Sequence, residues 1–263
     1  MKRGLEAVPA VWAILLAVAS CSVKEDRTDC PCRLDIILSE DISSPSVAVW
    51  GGNGASRCFD AVIDPVSDGT LYSVSVPRGT LGLHAFEMLG GIGTAGKDFL
   101  ISAGCQADSL YAFCAEVDCS GESAQAAVST RKQFATVFLR IAYEGDAAAA
   151  VSRVSVRGNV CGISAATLSP IAGEFLYETV PDSDGGCTFR LPRQDSGALA
   201  LDLCFTDGTS STVDIGTRIL SEGYDWSGDA LGDILLDLEV GTADISVSVG
   251  VCPWEVVDLY ERM

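Results

Sequence analysis

The second half of the chain alternates hydrophobic and polar residues with a clean period of two. Val137, Leu139, Ile141 and Tyr143 share one face of an extended segment, and so do Leu199, Leu201, Leu203 and Phe205. Ile234, Leu236, Leu238 and Val240 repeat the pattern, followed by Ile245, Val247, Val249 and Val251. Successive strand side chains point to opposite faces, so each run predicts a strand with one face in a core and the other toward solvent. Turn chemistry rich in Gly, Asp and Pro separates these runs at 181–186, 206–209, 227–229 and 240–242. The first half is less regular but similar in texture. Strand candidates fall at 33–39, 48–50, 58–64, 71–76, 81–89, 99–101 and 111–117, with a Pro-Arg-Gly turn ending at Gly79. One short helix is expected near 217–222. Short strands with turns at this spacing predict an all-β chain of two tandem β-sandwiches, 30–126 and 127–263. The polar, small-residue stretch 118–129 is expected to connect them.

Composition adds bounds. A chain of 263 residues with 48% hydrophobic residues and a mean hydropathy of +0.30 can bury a sizeable core. Against 17 Lys and Arg stand 36 Asp and Glu, a net charge of −19. Nucleic-acid binding needs a basic footprint, so no nucleic-acid partner is expected. Adsorption to anionic lipid headgroups is equally disfavoured, which leaves covalent or hydrophobic routes to a membrane.

The N-terminus supplies such a route. Lys2 and Arg3 precede an apolar stretch over 7–19, too short to span a bilayer and suited to the core of a signal peptide over 1–20. Val18-Ala19-Ser20-Cys21 resembles a bacterial lipobox. That resemblance implies a diacylglyceryl group on the Cys21 sulfur and cleavage between Ser20 and Cys21. Acyl chains contribute about 0.8 kcal/mol per buried methylene, and two or three of them make a stable anchor. The competing reading is an ordinary signal peptide with Cys21 in a disulfide. Cysteine arithmetic favours the lipid, because the 11 cysteines less Cys21 leave an even number. Ser22 to Asp26 resembles the acidic sorting tags of surface lipoproteins in the Bacteroidetes, and 21–29 is expected to be a lipid-anchored tether.

The chemical motifs favour no catalysis. Gly91, Gly93 and Gly96 satisfy a dinucleotide-binding spacing, and Gly91, Gly96 and Lys97 approach a P-loop. Asp98 stands where a P-loop needs a hydroxyl, and the following residues read as strand rather than helix, so a hairpin loop is expected. Cys30 and Cys32 lack zinc-site spacing. They are expected to pair with distant cysteines or stay thiols, while Cys114 and Cys119 are near enough in sequence to pair across a turn. His84, the single histidine, reads as a strand-face residue, and no Gly-x-Ser-x-Gly elbow accompanies it. Asp225-Trp226 could form a sugar clamp, but a buried tryptophan at a sandwich corner is the plainer reading. No cofactor and no metal site is expected.

Several segments taken in order, "CSVKEDRTDCPCRL", "GCQADSLYAF", "RKQFATVFLRI", "GISAATLSPIAGEF", "LPRQDSGALALDL", "GYDW", "LGDILLDLEV" and "ISVSVGVCPWE", resemble the FimB-type fimbrial anchor lipoproteins of Bacteroidales. The cysteine content exceeds what that family leads one to expect. The resemblance implies two transthyretin-like sandwiches and no enzymatic activity. It also implies a surface-exposed protein of the outer membrane, held by lipid on Cys21, that anchors or caps a fimbrial polymer. Fimbrial shaft or accessory pilin subunits are the implied partners, joined by strand complementation at a sheet edge. Two other readings compete. A glycan-binding surface lipoprotein predicts several solvent-facing Trp or Tyr residues on one platform. A secreted hydrolase predicts paired carboxylates or a dyad on His84.

Overall fold

The computed structural model describes residues 30–252 apart from 41, 44, 52–55, 89–97, 145–149 and 242–244. The lipobox, Cys21, the tether, the glycines of the 91–97 motif and Trp254 lie outside the described residues.

The N-terminal half holds β1 (Cys32–Leu38), β2 (Ser46–Trp50), β3 (Arg57–Val62), the short helix α1 (Pro65–Asp68), β4 (Leu71–Val76), β5 (Thr80–Met88), β6 (Phe99–Leu100), β7 (Leu110–Asp118), β8 (Ser123–Val128) and β9 (Arg131–Lys132). Two sheets form from these strands, in the orders β4-β1-β8 and β3-β2-β5-β7-β9. β1 alternates strictly, with Cys32, Leu34, Ile36 and Leu38 buried. Those residues meet Val47 and Val49 of β2 and Leu81, Leu83 and Ala85 of β5 in one core between the two sheets.

The intervening positions of the five-stranded sheet face the other way. Ala48, Phe86, Leu110 and Ala112 form a second apolar layer with Ile163 and Ala165 from the C-terminal half. β2 is therefore covered on both faces, which is why "SVAVW" reads as a continuous apolar run and not as an alternation.

The C-terminal half holds β10 (Phe134–Tyr143), β11 (Val151–Ile163), β12 (Pro170–Thr179), β13 (Gly186–Pro192), β14 (Ala200–Phe205), β15 (Ser210–Asp214), the helix α2 (Gly216–Ser221), β16 (Asp233–Val240) and β17 (Ile245–Cys252). Its sheets run β13-β10-β16-β17 and β12-β11-β14-β15, and β6 adds to β11. The alternating runs over 137–143, 199–205, 234–240 and 245–251 lie on strands, with Leu199 just before β14, but the end residues Tyr143 and Val251 are exposed instead of facing the core. Their inward residues join Val154, Val156, Phe189 and Leu191 in one large core, with Ile215 and Ile219 at and within α2 buried against it.

Two expectations need correction. The stretch 118–129 is not a plain connection: it carries β8, parallel to β1 with Leu34 opposite Ala124 and Ile36 opposite Ala126. The position 126/127 lies inside that strand. Two of its three inward residues, Ala124 and Ala126, are alanines, which carry little hydrophobic signal and no strand propensity, and only Val128 at its end is a large apolar residue. β9, β11, β12, β13 and β15, absent from the expected strands, are also present. A register shift between Val151 and Arg153 breaks the period of β11, so no two-residue alternation runs through it.

Val137 of β10 stands opposite Phe189 of β13, and Phe138 opposite Thr188. Phe189 is fully buried, whereas Phe138 is 44% exposed on the opposite face. Phe189→Ala is expected to cost about 3–5 kcal/mol and Phe138→Ala about 1 kcal/mol or less. Urea unfolding of the two variants checks the assignment of faces, and equal losses would contradict it.

Candidate functional site

The two halves meet where the chain leaves one sheet and enters the next. β9 pairs with β7, with Lys132 opposite Tyr111, and β10 begins at Phe134. Gln133 is the single residue between them. Its amide donates to the Leu110 carbonyl at 2.9 Å, and its side-chain Nε2 donates to Arg131 O at 3.0 Å and Asp229 O at 3.1 Å. Arg193, at the end of β13, donates from Nη2 to Gln133 Oε1 at 2.8 Å and from Nη1 to Trp226 O at 2.5 Å and Gly228 O at 2.8 Å. Burial pulls this guanidinium below its ordinary value, while Tyr224, Asp225 and Asp229 oppose that shift. Lys132, also buried, bonds Asp233 and sits 4.8 Å from the centre of the Phe134 ring.

A second contact closes the gap from the other side. The β11–β12 turn reaches back over the outer face of the five-stranded sheet. His84 Nδ1 donates to the Ala165 carbonyl at 2.8 Å, Cys114 Sγ reaches Ala166 O at 3.1 Å, and His84 Nε2 lies 3.6 Å from Cys114 Sγ. Leu168 holds this turn in the left-handed region, φ 55°, at a cost of about 1–2 kcal/mol. Its side chain packs on the shared apolar layer. Just before the turn, a Cβ on Gly162 would stand 2.3 Å from Phe99 O, so only glycine lets β6 lie this close to β11.

The single histidine is thus a buried strand-face residue, as expected, bonded to backbone and thiol. Cys114 and Cys119 do not meet. They are five residues apart, so along a strand they face opposite ways: Cys114 points to His84, and Cys119 is buried in the first core. Trp226 is buried, 6% exposed, with its ring 4.5 Å from that of Tyr224, as a corner tryptophan should be. A cleft of about 490 Å³ opens beside it, bordered by Arg193, Gln194, Asp195, Tyr224 and Asp225. The platform that glycan binding predicts is not formed by the described residues, among which Tyr143 is the only exposed Trp or Tyr. The described residue after the glycine-rich stretch, Asp98, leads into strand β6 and not into a helix. Among the described residues no three or more His, Cys, Asp or Glu side chains cluster to hold a metal, and no helix is long and apolar enough to cross a membrane. The junction pair Gln133 and Arg193 was missed from sequence. The only hint was polar residues directly flanking strand ends, in "RKQF" and "LPRQD".

The remaining places for chemistry are the sheet edges. β13 is covered: Arg190 N donates to Gln106 Oε1 at 2.9 Å, and Ala107 N donates to Arg190 O at 3.1 Å. β12 carries Pro170, Glu174 and Glu178, β15 has five residues and ends on Asp214, and β3 carries Arg57 and Asp60. β4 and β8 are uncharged but six residues long. β17 has eight residues without charge or proline, in unbroken register with β16 from Asp233–Cys252 to Val240–Ile245. Among the described residues no strand pairs with its outer edge, though Arg218 reaches Val247 O at a long 3.4 Å.

The fold is that of fimbrial and adhesin-type proteins. The fimbrial anchor protein Mfa2 from Porphyromonas gingivalis superposes with a TM-score of 0.59 at 14% identity, over 86% of this chain and 98% of that one. A candidate adhesin from Bacteroides ovatus gives 0.60 at 13% identity, over 88% and 98%. The tip fimbrial protein Mfa3 from Porphyromonas gingivalis, in a form with a C-terminal truncation, gives 0.50 at 11% identity, over 85% and 100%. No protein-family model and no curated protein matches the chain by sequence.

Burial holds the His84 imidazole below its ordinary value of 6.5, against the Ala165 hydrogen bond, which raises it. The unfolded chain therefore takes up this proton more readily. Stability is full above a pH of about 6.5 and declines as pH falls from there through the lowered folded value. Thermal melts at about pH 7.5 and about pH 5.5 are expected to show this loss, and His84→Gln is expected to lessen it. An unchanged difference in the variant would rule out His84 as its source.

Proposed function

We propose that this chain is a non-catalytic lipoprotein of the outer membrane, held by lipid on Cys21, that anchors or caps a fimbrial polymer at the cell surface. The observation that carries the reading is the fold itself, shared along nearly the whole length of a fimbrial anchor protein. On this reading the two cores belong to two tandem transthyretin-like sandwiches, and the chain passes from one to the other around Gln133, a few residues later than sequence suggested.

The β17 edge is the surface we assign to a pilin strand. Backbone donors and acceptors along an open edge pair with any strand that arrives in register, and natural proteins block such edges with charge, proline or bulges. β17 has none of these along eight residues. An added strand would gain a full ladder of hydrogen bonds there, with alternate side chains setting which subunit fits. The strongly acidic surface keeps the protein soluble and off the headgroups, so retention at the membrane falls to the lipid alone.

Two variants test the two ends separately. Cys21→Ser is expected to move the protein, with its fimbriae, into the culture medium. Equal proportions of shed and attached fimbriae with and without the cysteine would defeat the anchor reading. Ser246→Lys with Ser248→Lys charges the exposed positions of β17, at a stability change within about 0.5 kcal/mol per site. Co-purification from detergent-solubilised outer membranes should recover a pilin with the parent chain and lose it with this variant. Recovery of pilin with both would place the subunit contact elsewhere.

A further inference from the structure

Ten cysteines fall among the described residues, and those whose sulfur contacts are visible mostly reach polar groups of other kinds. Cys58 reaches Ser56 O, Cys114 reaches His84 and Ala166, Cys161 reaches Ile171 and Ala172 carbonyls, and Cys204 meets Arg153. Cys32 and Cys119 differ. Both are fully buried, both belong to the first core, and the Cys32 thiol, whose Sγ also reaches Arg33 O at 3.7 Å, lies close enough to Cys119 to shift its proton affinity.

The backbone independently brings them together. Cys32 opens β1 opposite Val76, the last residue of β4. Cys119 directly follows β7, and its amide donates to Gly79 O at 2.8 Å, in the turn that leaves β4. The next residue of β1, Arg33, donates from its amide to Glu122 O at 3.0 Å. The β4–β5 turn and the start of β8 thus clamp the two residues from both sides.

We propose that Cys32 and Cys119 form a disulfide in the exported protein. The oxidant is a disulfide-bearing thiol oxidoreductase of the exporting compartment. One cysteine, as thiolate, attacks the oxidant's disulfide and forms a mixed disulfide while one oxidant sulfur leaves as thiolate. The second cysteine then attacks the mixed bond and releases the other oxidant sulfur. Two thiols lose two protons and two electrons in all, and the oxidant's disulfide becomes a dithiol.

The folded environment dictates when this happens. Burial, with Cys32 alongside, pushes the Cys119 thiol up to about 11. A buried protonated thiol is a poor nucleophile and out of reach of an oxidant. The bond therefore closes during folding, before the two sheets seal over it, and is thereafter shielded from external reductants.

Its position gives it a use that rests on the anchor reading. A pull on a lipid at Cys21 enters the fold at the first residue of β1. β1 is the middle strand of its sheet, paired with β4 and β8. A covalent link at Cys32 passes that pull directly to the end of β7 in the facing sheet, so β1 does not peel from its N-terminal end.

The test maps disulfides in the full chain, purified from outer membranes in detergent, with Cys30→Ser to remove the neighbouring exposed thiol. Free thiols are alkylated in denaturant without reductant, and the chain is cut after acidic residues. This isolates Cys119 in a peptide spanning 119–122 and Cys32 in one spanning 30–35. The expected result is one linked pair, lighter than the two reduced peptides by two hydrogens and split by reductant. The proposal is overturned if either cysteine is recovered alkylated or joined to a different partner. Melting in the presence of reductant, which reaches the bond as the chain unfolds, is also expected to lower the melting temperature of the parent chain but not of the Cys32→Ala, Cys119→Ala double variant; an equal shift in both would overturn it. Neither readout depends on fimbriae, so the bond can fail while the anchor reading stands, and the reverse.

Discussion

Gln133 is one residue long and bridges two sheets that belong to different cores. A link this short leaves no slack, so each polar group of Gln133 must find a partner in place or be buried without one. Its amide is taken by Leu110, its side-chain nitrogen by Arg131 and Asp229, and its side-chain oxygen by Arg193. Arg193 in turn ties down the 226–228 corner that places Trp226 in the C-terminal core. The buried guanidinium has no carboxylate in direct contact among these bonds. Its charge is met by carbonyl dipoles and by the nearby acidic side chains Asp225 and Asp229, an arrangement that works only if the corner keeps its shape.

That constraint explains why the outer face of the five-stranded sheet is apolar. With the connection so short, the β11–β12 turn is held against β5 and β7, and the facing residues must be dry. Phe86, Ala112 and Ile163 fill the space, and His84 is held there by the bond from Nδ1 to the Ala165 carbonyl, with Nε2 facing the Cys114 sulfur. A histidine charged at this site would face a carbonyl with one nitrogen and a thiol with the other, with no carboxylate bonded to it among the described residues, so burial favours the neutral ring.

Alternation is legible in sequence only where one face is wet and the strand is unbroken. β10, β14, β16 and β17 satisfy both conditions, and their inward residues could be read directly except at the strand ends Tyr143 and Val251, which are exposed. β2 fails the first condition, since both faces are covered. β11 fails the second, since a bulge shifts its register. β8 fails in a third way: Ala124 and Ala126 face the core, but alanine does not distinguish a buried strand from a polar linker. Of the candidate sites, His84 was readable as a bulky residue inside an apolar run, and Trp226 as a large aromatic beside Tyr224 within a polar corner. The Gln133–Arg193 pair and the Cys32–Cys119 contact were not, because each joins residues far apart in sequence whose proximity follows from strand order.

Strand order also sorts the edges. A sheet of four strands has two edges, and in β13-β10-β16-β17 the residues 106–107 already occupy the β13 side. The other side belongs to β17, whose exposed positions are Ser246, Ser248, Val251 and Cys252, with no lysine or glutamate among them. Unlike the edge strands β3, β12 and β15, β17 carries no charged side chain along its eight residues. An edge that repelled other strands would be the cheaper solution for a solitary protein, because a single inward charge or proline suffices. Its absence is understandable if the edge is meant to be covered by a partner. The β1 end and the β17 edge lie in different sheets on different cores. On the proposed anchor reading, a subunit bound at β17 would pull against a membrane held through the β1 end, across the Gln133 junction.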